Sequence, residues 1–443
     1  MRNKIYNSLV VLIFLELVLG GLGNLFGLPI RKVLFVLGIG LTLYMIYKEK
    51  IKINSSYIKI IIIVGIYALY GSIVGIIRGN SFGSIFSDVN SFLGIVYILL
   101  LIVYFGNNLK NIDRGISIIA NASFVVAVIT LFLFFFSRIF LPSDERIILA
   151  YMKLEEITQY GFISGLVNSN NYARVFLYNG IFMEIGALIY SVRLLSPNCE
   201  KKISTIIKTF LLFAGVYVSS TRGFWLGTAV GTCTLVLYYI IKKKERNFTG
   251  KRLVVVALLL LALVWILPKT YSKTAVIQTP TVSSNESVKG RIESMVDFKE
   301  DPSNQVRLIQ LKFIMNAFKE SPIFGYGFGA TLTEYSDYML ENNNLIVGGS
   351  NFELYYLELL YKTGIVGIIY FFGYLAYKFV QLLKVFFTKN LDELDERVLM
   401  SWTIAFIAFL ASSVTNPYLA GLAGFFVLIM EAYILETVLI KYE

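Results

Sequence analysis

Residues 58–77, IKIIIIVGIYALYGSIVGII, contain one charged side chain in twenty. A helix of this length rises about 30 Å, which matches the hydrocarbon core of a bilayer. The segment therefore predicts a membrane-spanning helix.

Comparable apolar runs recur along the chain and predict about twelve spans in all. The others cover residues 8–28, 32–47, 89–105, 115–136, 172–192, 203–219, 224–241, 252–268, 352–380, 398–414 and 419–440. The chain has 443 residues, of which 56% are hydrophobic and 16% charged, and its mean hydropathy is +0.69. A soluble protein would carry roughly 25% charged residues. These values predict an all-α, polytopic integral membrane protein.

The net charge of +11 raises the question of a nucleic-acid partner. Most of the excess lies in short loops between apolar runs, namely KEKIKINSSYIK (48–59), CEKK (199–202) and KKKERNFTGKR (242–252). This distribution is typical of the positive-inside bias. We therefore expect no nucleic-acid partner, an even number of spans and both termini in the cytoplasm.

The predicted topology divides the chain into three consecutive parts. Residues 1–268 form a bundle of about nine transmembrane helices. Residues 269–351 form a long extracytoplasmic loop that carries short amphipathic helices, and residues 352–443 return to the membrane. The two cysteines, Cys199 and Cys233, fall in an inner loop and a span, and there is no histidine. We therefore expect no disulfide, no metal site and no cofactor.

Within the long loop, NQVRLIQLKFIMNAFKES (304–321) has apolar residues at helical spacing. It predicts an amphipathic helix that stops at Pro322, before the glycine-rich turn GYGFG (325–329). Arg307 lies one residue after Val306, which is on the apolar face of this helix. By itself it is expected to be a solvated charge, but beside a second arginine it would suit a diphosphate, because guanidinium groups donate bidentately and stay charged.

That second arginine is Arg222, in SSTRGFW (219–225), a very short connection between two spans. So short a hairpin holds the guanidinium close to the membrane plane, although an arginine there can also extend into the lipid headgroups. The segment NSNNYAR (168–174) offers Asn168, Asn170 and Arg174 either as partners for sugar hydroxyls or as helix caps. The tyrosines of the chain mainly indicate aromatic belts at the membrane interfaces, but one in the outer loop, such as Tyr326 in the glycine turn, also offers an aromatic face for a sugar ring.

The segment NFELYYLELLYKTGIVG (351–367) begins a predicted span, yet it is charged. A straight helix would carry Lys362 about 15 Å into the bilayer, where a lysine costs about 2.5–3.5 kcal/mol. We therefore predict a short outer-face helix followed by a span that begins at TGIVG (363–367). Glu358 and Lys362 have the spacing of a neutralising pair. Glu353 has no such local partner, so it is either the carboxylate free for other work or a hydrated acid at the interface.

Four segments, in this order, resemble the O-antigen ligase and polymerase superfamily of bacterial membrane glycosyltransferases. NSNNYA (168–173) is similar to an NPNxxA-like segment, and STRGFWLG (220–227) to a Ser-Arg-Gly motif after a span. Arg307 with SPIFGYGFG (321–329) resembles an arginine helix followed by P-x-x-G-x-G. ELYYLELLYKTGIVG (353–367) resembles the segment that closes the outer loop.

The resemblance implies a metal-independent enzyme whose donor is a glycan linked to undecaprenyl diphosphate, with Arg222 and Arg307 engaging the diphosphate. The family's usual histidine assists the acceptor hydroxyl, and Glu353 takes its place, so the resemblance makes Glu353 the candidate general base. Leu354 takes the place of the following asparagine, and this departure favours a polymerase over a ligase. The expected location is the bacterial cytoplasmic (inner) membrane, with the active site on the extracytoplasmic face. Expected partners are the lipid-linked glycan as donor and acceptor, the bilayer, a flippase and a chain-length regulator.

Two alternatives remain from the sequence. A ligase would use the same donor and transfer the glycan to a lipid or protein. A flippase or transporter for lipid-linked glycan would carry paired charges deep in several spans. Buried acidic residues are few (Glu16, Glu184, Glu431 and Glu436), and the candidate groups gather on one side, which favours chemistry over passage.

Overall fold

The computed structural model describes residues 4–24, 28–139, 161–164, 174–197, 202–242, 302–341 and 352–442. The helices are α1 (Lys4–Leu19), α2 (Ile30–Glu49), α3 (Ser55–Ile77), α4 (Phe82–Val89), α5 (Tyr97–Phe105), α6 (Leu109–Ile139), α7 (Ile181–Leu195), α8 (Lys202–Val218), α9 (Arg222–Lys242), α10 (Pro302–Glu320), α11 (Thr333–Glu341), α12 (Tyr355–Thr388), α13 (Glu393–Ser412) and α14 (Leu422–Tyr442). Short 3-10 helices cover Phe92–Val96 and Tyr418–Ala420, and the strands are β1 (Gly161–Ser164) and β2 (Arg174–Leu177).

Helix α3 illustrates why these apolar runs belong in a membrane. Its exposed face consists of large apolar residues spaced three or four apart: Ile58, Ile62, Ile66, Leu69, Ile73 and Ile76. Its other face, with Tyr57 and Tyr67, is buried. A helix that is apolar on its exposed side is stable in lipid rather than in water. The prediction of an all-α, multi-pass membrane protein is confirmed.

Every predicted span within the described residues contains a helix, whereas the predicted span 252–268 lies outside them. Six described helices are long and apolar enough to cross a membrane by themselves. A seventh span is possible if α4 and the following helical segment, bent by 41°, are taken together. The count of about twelve spans therefore stays a prediction.

The structure corrects the predicted span 172–192 at its start. Residues 174–177 form β2, which pairs antiparallel with β1, so that Gly161 lies opposite Leu177 and Ser164 opposite Arg174. The helix begins only at Ile181. Backbone pairing with a segment ten residues upstream was not visible in the apolar pattern, because a short apolar strand and a helix start look alike.

The described helices belong to two compact units. Unit 1 contains α1, the start of α2, α6 to α9 and α13, with α7 at its centre, because every α7 side chain except that of Arg193 is buried. Unit 2 contains the rest of α2, α3 to α5, α10 to α12 and α14, and residues 424–438 of α14 are all buried. The predicted division into segments 1–268, 269–351 and 352–443 stays a prediction.

Within unit 2, the amphipathic helix predicted over 304–321 is confirmed as α10. The segment after it adds α11, which the sequence pattern did not indicate. Both helices pack on an apolar cluster formed by Ile314, Ala330, Leu332, Tyr335, Met339, Phe352 and Tyr361. This cluster brings the residues after Phe352 against α10.

Candidate active site

A backbone break in α12 shapes the site in unit 2. Gly364 has φ 62° and ψ −167°, which no helical residue adopts, so α12 consists of two helical pieces. The amide groups of Ile365 and Val366 donate to the carbonyls of Pro322 and Ile323, at 2.9 and 3.2 Å. The predicted break at TGIVG is confirmed, and the segment after α10 satisfies the amide groups that the break releases.

The glycine-rich turn lies directly against this break. Its glycines at 325, 327 and 329 all have positive φ. The Tyr326 amide donates to the Tyr361 carbonyl at 3.0 Å, and the Gly327 amide donates to the Lys362 carbonyl at 2.7 Å. The turn and the first piece of α12 are thus joined through their backbones.

Arg307 and Glu353 meet at one edge of this arrangement. Arg307 Nε lies 2.8 Å from Glu353 Oε2, and the two side chains are 20% and 37% exposed. The two atoms are not aligned as a hydrogen bond, so the contact is an ion pair. Because solvent screens a carboxylate this exposed, the pair contributes about 0–1 kcal/mol to stability. Its main effect is to hold the two side chains next to each other.

Two neighbours fix the position of Glu353. Phe352 is buried in the apolar cluster. Gln310, one helical turn after Arg307, is also buried, and its Oε1 accepts the Glu353 amide hydrogen at 3.1 Å. Two side chains of α10 therefore contact Glu353: Gln310 binds its backbone amide, and Arg307 pairs with its carboxylate. The prediction that Glu353 has no local partner stands, because its partner Arg307 belongs to α10 and not to the segment around α12.

The predicted pair between Glu358 and Lys362 is confirmed, with Nζ and Oε1 2.6 Å apart. Asp88, at the end of α4, joins it at 2.8 Å from the same Nζ atom. The Asp88 carboxylate also accepts the Gly329 amide hydrogen at 2.6 Å. The Lys362 side chain is only 5% exposed. This three-residue cluster ties α4, α12 and the glycine-rich turn together.

Tyr326 is held on several sides. Its ring stacks on Tyr361, with centroids 4.9 Å apart, and the Arg78 guanidinium lies 5.6 Å from its centroid. Its hydroxyl donates to Glu320 Oε2 at 2.7 Å. Burial and the nearby negative charge of Glu320 raise the pKa of Tyr326 to about 12. The hydroxyl therefore stays protonated at neutral pH, and a sugar-binding role for the ring stays a prediction.

The sequence pattern did not indicate Asp88, Arg78, Asn80 or Gln310. The Asn80 side-chain amide donates to the carbonyls of Tyr326 and Phe328 at 2.9 Å, and Arg78 donates to Ser321 Oγ at 2.6 Å. The first three lie about 240 positions before their partners, and Gln310 lies 43 positions before Glu353, so spacing along the chain gives no signal. The sequence contained one sign of such a role, the group of polar residues just before the predicted span 89–105.

Arg222 lies in unit 1, where it opens α9 after a three-residue connection from α8. Ser219, Ser220 and Thr221 in that connection are buried, and Ser220 has φ 51°. The short hairpin is confirmed. Because Arg222 and Arg307 belong to different units, their joint action on one diphosphate stays a prediction.

The structure gives little or no information on the other predicted site residues. Asn168 and Asn170 lie outside the described residues, and Arg174 is described only as the first residue of β2. Among the described residues, no three acidic or cysteine side chains converge as a metal ion would require.

Two comparisons with known proteins bear on this site. A family model described as O-antigen ligase matches residues 208–372, the segment that contains Arg222, Arg307 and Glu353. The chain is also similar to an O-antigen polymerase of Shigella flexneri, with 22% identity over 431 residues. That similarity covers 96% of this chain and 94% of the relative.

Proposed function

The chain belongs to the superfamily of O-antigen ligases and polymerases, and we propose that it is a polymerase of lipid-linked glycans. It joins oligosaccharide repeat units carried on undecaprenyl diphosphate into an O-antigen or capsular-type polysaccharide, on the outer face of the bacterial cytoplasmic membrane. The observation that carries this proposal is the contact between Arg307 and Glu353. In the proposal, Arg307 of this pair binds the diphosphate and Glu353 is the base.

In the proposed reaction, a sugar hydroxyl of the incoming repeat unit attacks the anomeric carbon of the growing chain. The new carbon–oxygen bond forms as the bond to the diphosphate breaks, and its electron pair leaves with the diphosphate. Glu353 accepts the hydroxyl proton. Arg307 and Arg222 stabilise the charge that develops on the leaving diphosphate. Attack opposite the leaving group inverts the anomeric centre.

The ion pair is compatible with the two proposed roles, binding of the diphosphate by Arg307 and proton acceptance by Glu353. A guanidinium has five N–H donors, so Arg307 can bind a phosphate oxygen while it remains beside Glu353. Arrival of the anionic donor gives Arg307 a second partner and weakens its hold on the carboxylate. Glu353 is then available to the acceptor hydroxyl at the step where a base is needed.

The same site also supports a ligase, the activity in the description of the matched family. A ligase would differ only in its acceptor, a lipid or a protein. A flippase and a chain-length regulator are the partner proteins that a polymerase would require before and during chain growth.

The test is to replace Arg307 by Ala and Glu353 by Gln separately and to compare the size distribution of the cell's surface glycan. Lys312→Ala is the matched control, since Lys312 is an exposed cation on the same helix. A polymerase predicts single repeat units on their final acceptor in both variants, with a normal pattern in the control. Long chains stranded on the carrier lipid would indicate a ligase, and absence of outer-face glycan a flippase. Normal chain lengths in both variants would reject the site.

A further inference from the structure

A buried acid lies beneath the Arg222 hairpin in unit 1. Glu184, on α7, is 0% exposed, and its Oε1 atom has no hydrogen-bond partner. None of the ion pairs formed between described residues includes it. An ionised carboxylate without a charged partner is strongly disfavoured in such a place. The proposed function gives this acid no role.

The other oxygen of Glu184 belongs to a chain of polar contacts. Ser412 Oγ, at the end of α13, lies 2.6 Å from Glu184 Oε2 and 2.8 Å from the Gly223 carbonyl oxygen. Ser412 is itself 0% exposed. The serine therefore bridges the acid on α7 to the first turn of α9.

The number of protons decides the state of the acid. A serine hydroxyl has a single proton, and the Gly223 carbonyl can only accept. If Ser412 donates to that carbonyl, the 2.6 Å contact with Oε2 needs a proton from Glu184 itself. We propose that Glu184 is a neutral carboxylic acid that donates to Ser412, which donates to Gly223, and that this chain positions Arg222.

Close packing supports the assignment. A Cβ atom on Gly227, one turn into α9, would collide with both Ser412 Oγ and Glu184 Oε1. Only glycine lets α9 lie this close to the acid and the serine. Gly227, the last glycine of STRGFWLG, is thus required for this close packing. Gly223, whose carbonyl is bound by Ser412, directly follows Arg222. The acid is a positioning residue, and this role rests on the proposed role of Arg222 in binding diphosphate.

The protonation state can be measured without any assay of activity. Infrared difference spectra of the purified chain and its Glu184→Gln variant, recorded at neutral pH, are expected to contain the carbonyl stretch of a protonated carboxylic acid in the wild type only. A carboxylate band lost in the variant would overturn the proposal of a neutral acid. The glutamine side chain is neutral and can donate to Ser412, so this variant is expected to fold.

The positioning role is tested by initial rates of polymer formation from lipid-linked repeat units extracted from the host strain. Glu184→Ala and Ser412→Ala are each expected to lower the rate about tenfold, as loss of a buried hydrogen bond does. Glu184→Gln is expected to retain a rate close to wild type. Ser191→Ala is the matched control, because Ser191 is a buried serine on α7 that donates only within its own helix.

A double-mutant cycle separates positioning from general stability. In an Arg222→Ala background, Glu184→Ala is expected to lower the rate of polymer formation less than about twofold. The reason is that the guanidinium that Glu184 positions is no longer present. A further tenfold loss in that background would overturn the positioning role. If Arg222→Ala by itself retains the wild-type rate, the proposed function of Arg222 fails and the positioning role fails with it. The infrared result then still decides the state of Glu184.

Discussion

Glu353 lies 2.8 Å from Arg307, while more than a third of its side chain remains exposed. Its charge is balanced by Arg307, and we propose that the exposed part of its side chain meets the substrate hydroxyl. A half-buried acid whose charged partner is a single ion pair can accept a proton without rearrangement of the core. In a chain without histidine, this carboxylate is the strongest candidate for the base.

Replacing Glu353 by Gln keeps the size of the side chain and removes its ability to accept a proton. Loss of a general base predicts that the rate of chain extension falls by about 10²–10⁴-fold. The measurement is the initial rate with purified lipid-linked repeat units. Glu334→Gln, an exposed acid on α11, is the control, and an E353Q rate equal to that of this control would contradict the base assignment.

How far the sequence predicts the site depends on how far apart its residues lie. The pair of Glu358 and Lys362 is readable because its members are four residues apart on one helix. Asp88, which completes the cluster, is 274 residues from Lys362. Arg307 was identified as a candidate, but its contact with Glu353 depends on how α10 packs. Local spacing contains no information about such tertiary contacts.

The lysine in this cluster is expected to be important for stability. Lys362→Met would leave Asp88 and Glu358 facing each other with little water between them. Removal of one member of a buried charge cluster predicts a loss of about 3 kcal/mol in the free energy of unfolding. Thermal unfolding in detergent measures it, with Lys319→Met, an exposed lysine on α10, as control. The additional change Asp88→Asn should recover part of the loss, and an unfolding temperature unchanged by K362M would refute the argument.

At the scale of elements, the break in α12 was predictable, because a straight helix would have placed Lys362 inside the bilayer. The sequence did not reveal what stabilises the break. The carbonyls of Pro322 and Ile323 accept the amide hydrogens after Gly364, and no pattern within α12 points to them. By contrast, α11 and the β1–β2 pairing were missed, because each is too short for its periodicity to stand out.

Gly364→Ala tests the break. The alanine would have to adopt φ near 62°, and its Cβ would collide with the Ile323 carbonyl. Strain of this kind costs about 1–3 kcal/mol, so the unfolding temperature and chain extension are both expected to fall. Gly373→Ala is the matched control, since a Cβ there would meet nothing within 4 Å. Equal unfolding temperatures for the two variants would show that the break is not required.

At the scale of the whole molecule, the predicted topology places both termini and the basic loops in the cytoplasm, with residues 269–351 outside. A chain freed of its cysteines by Cys199→Ser and Cys233→Ser can carry a single cysteine at Ser283 or Lys244. A membrane-impermeant maleimide is expected to label Ser283→Cys in intact spheroplasts, and Lys244→Cys only after permeabilisation. Labelling of Lys244→Cys in intact spheroplasts would invert the topology.

Polymerisation by the purified chain in lipid nanodiscs, with lipid-diphosphate-linked repeat units as the sole glycan, tests the proposed function without other cell components. The product is sized by gel electrophoresis. The wild-type chain is expected to build ladders of many repeats still attached to the carrier lipid, whereas Arg307→Ala and Glu353→Gln are expected to leave single repeats. Ladders of equal length from all three proteins, or single repeats left by a folded wild-type chain that transfers them to another acceptor, would contradict the proposed function.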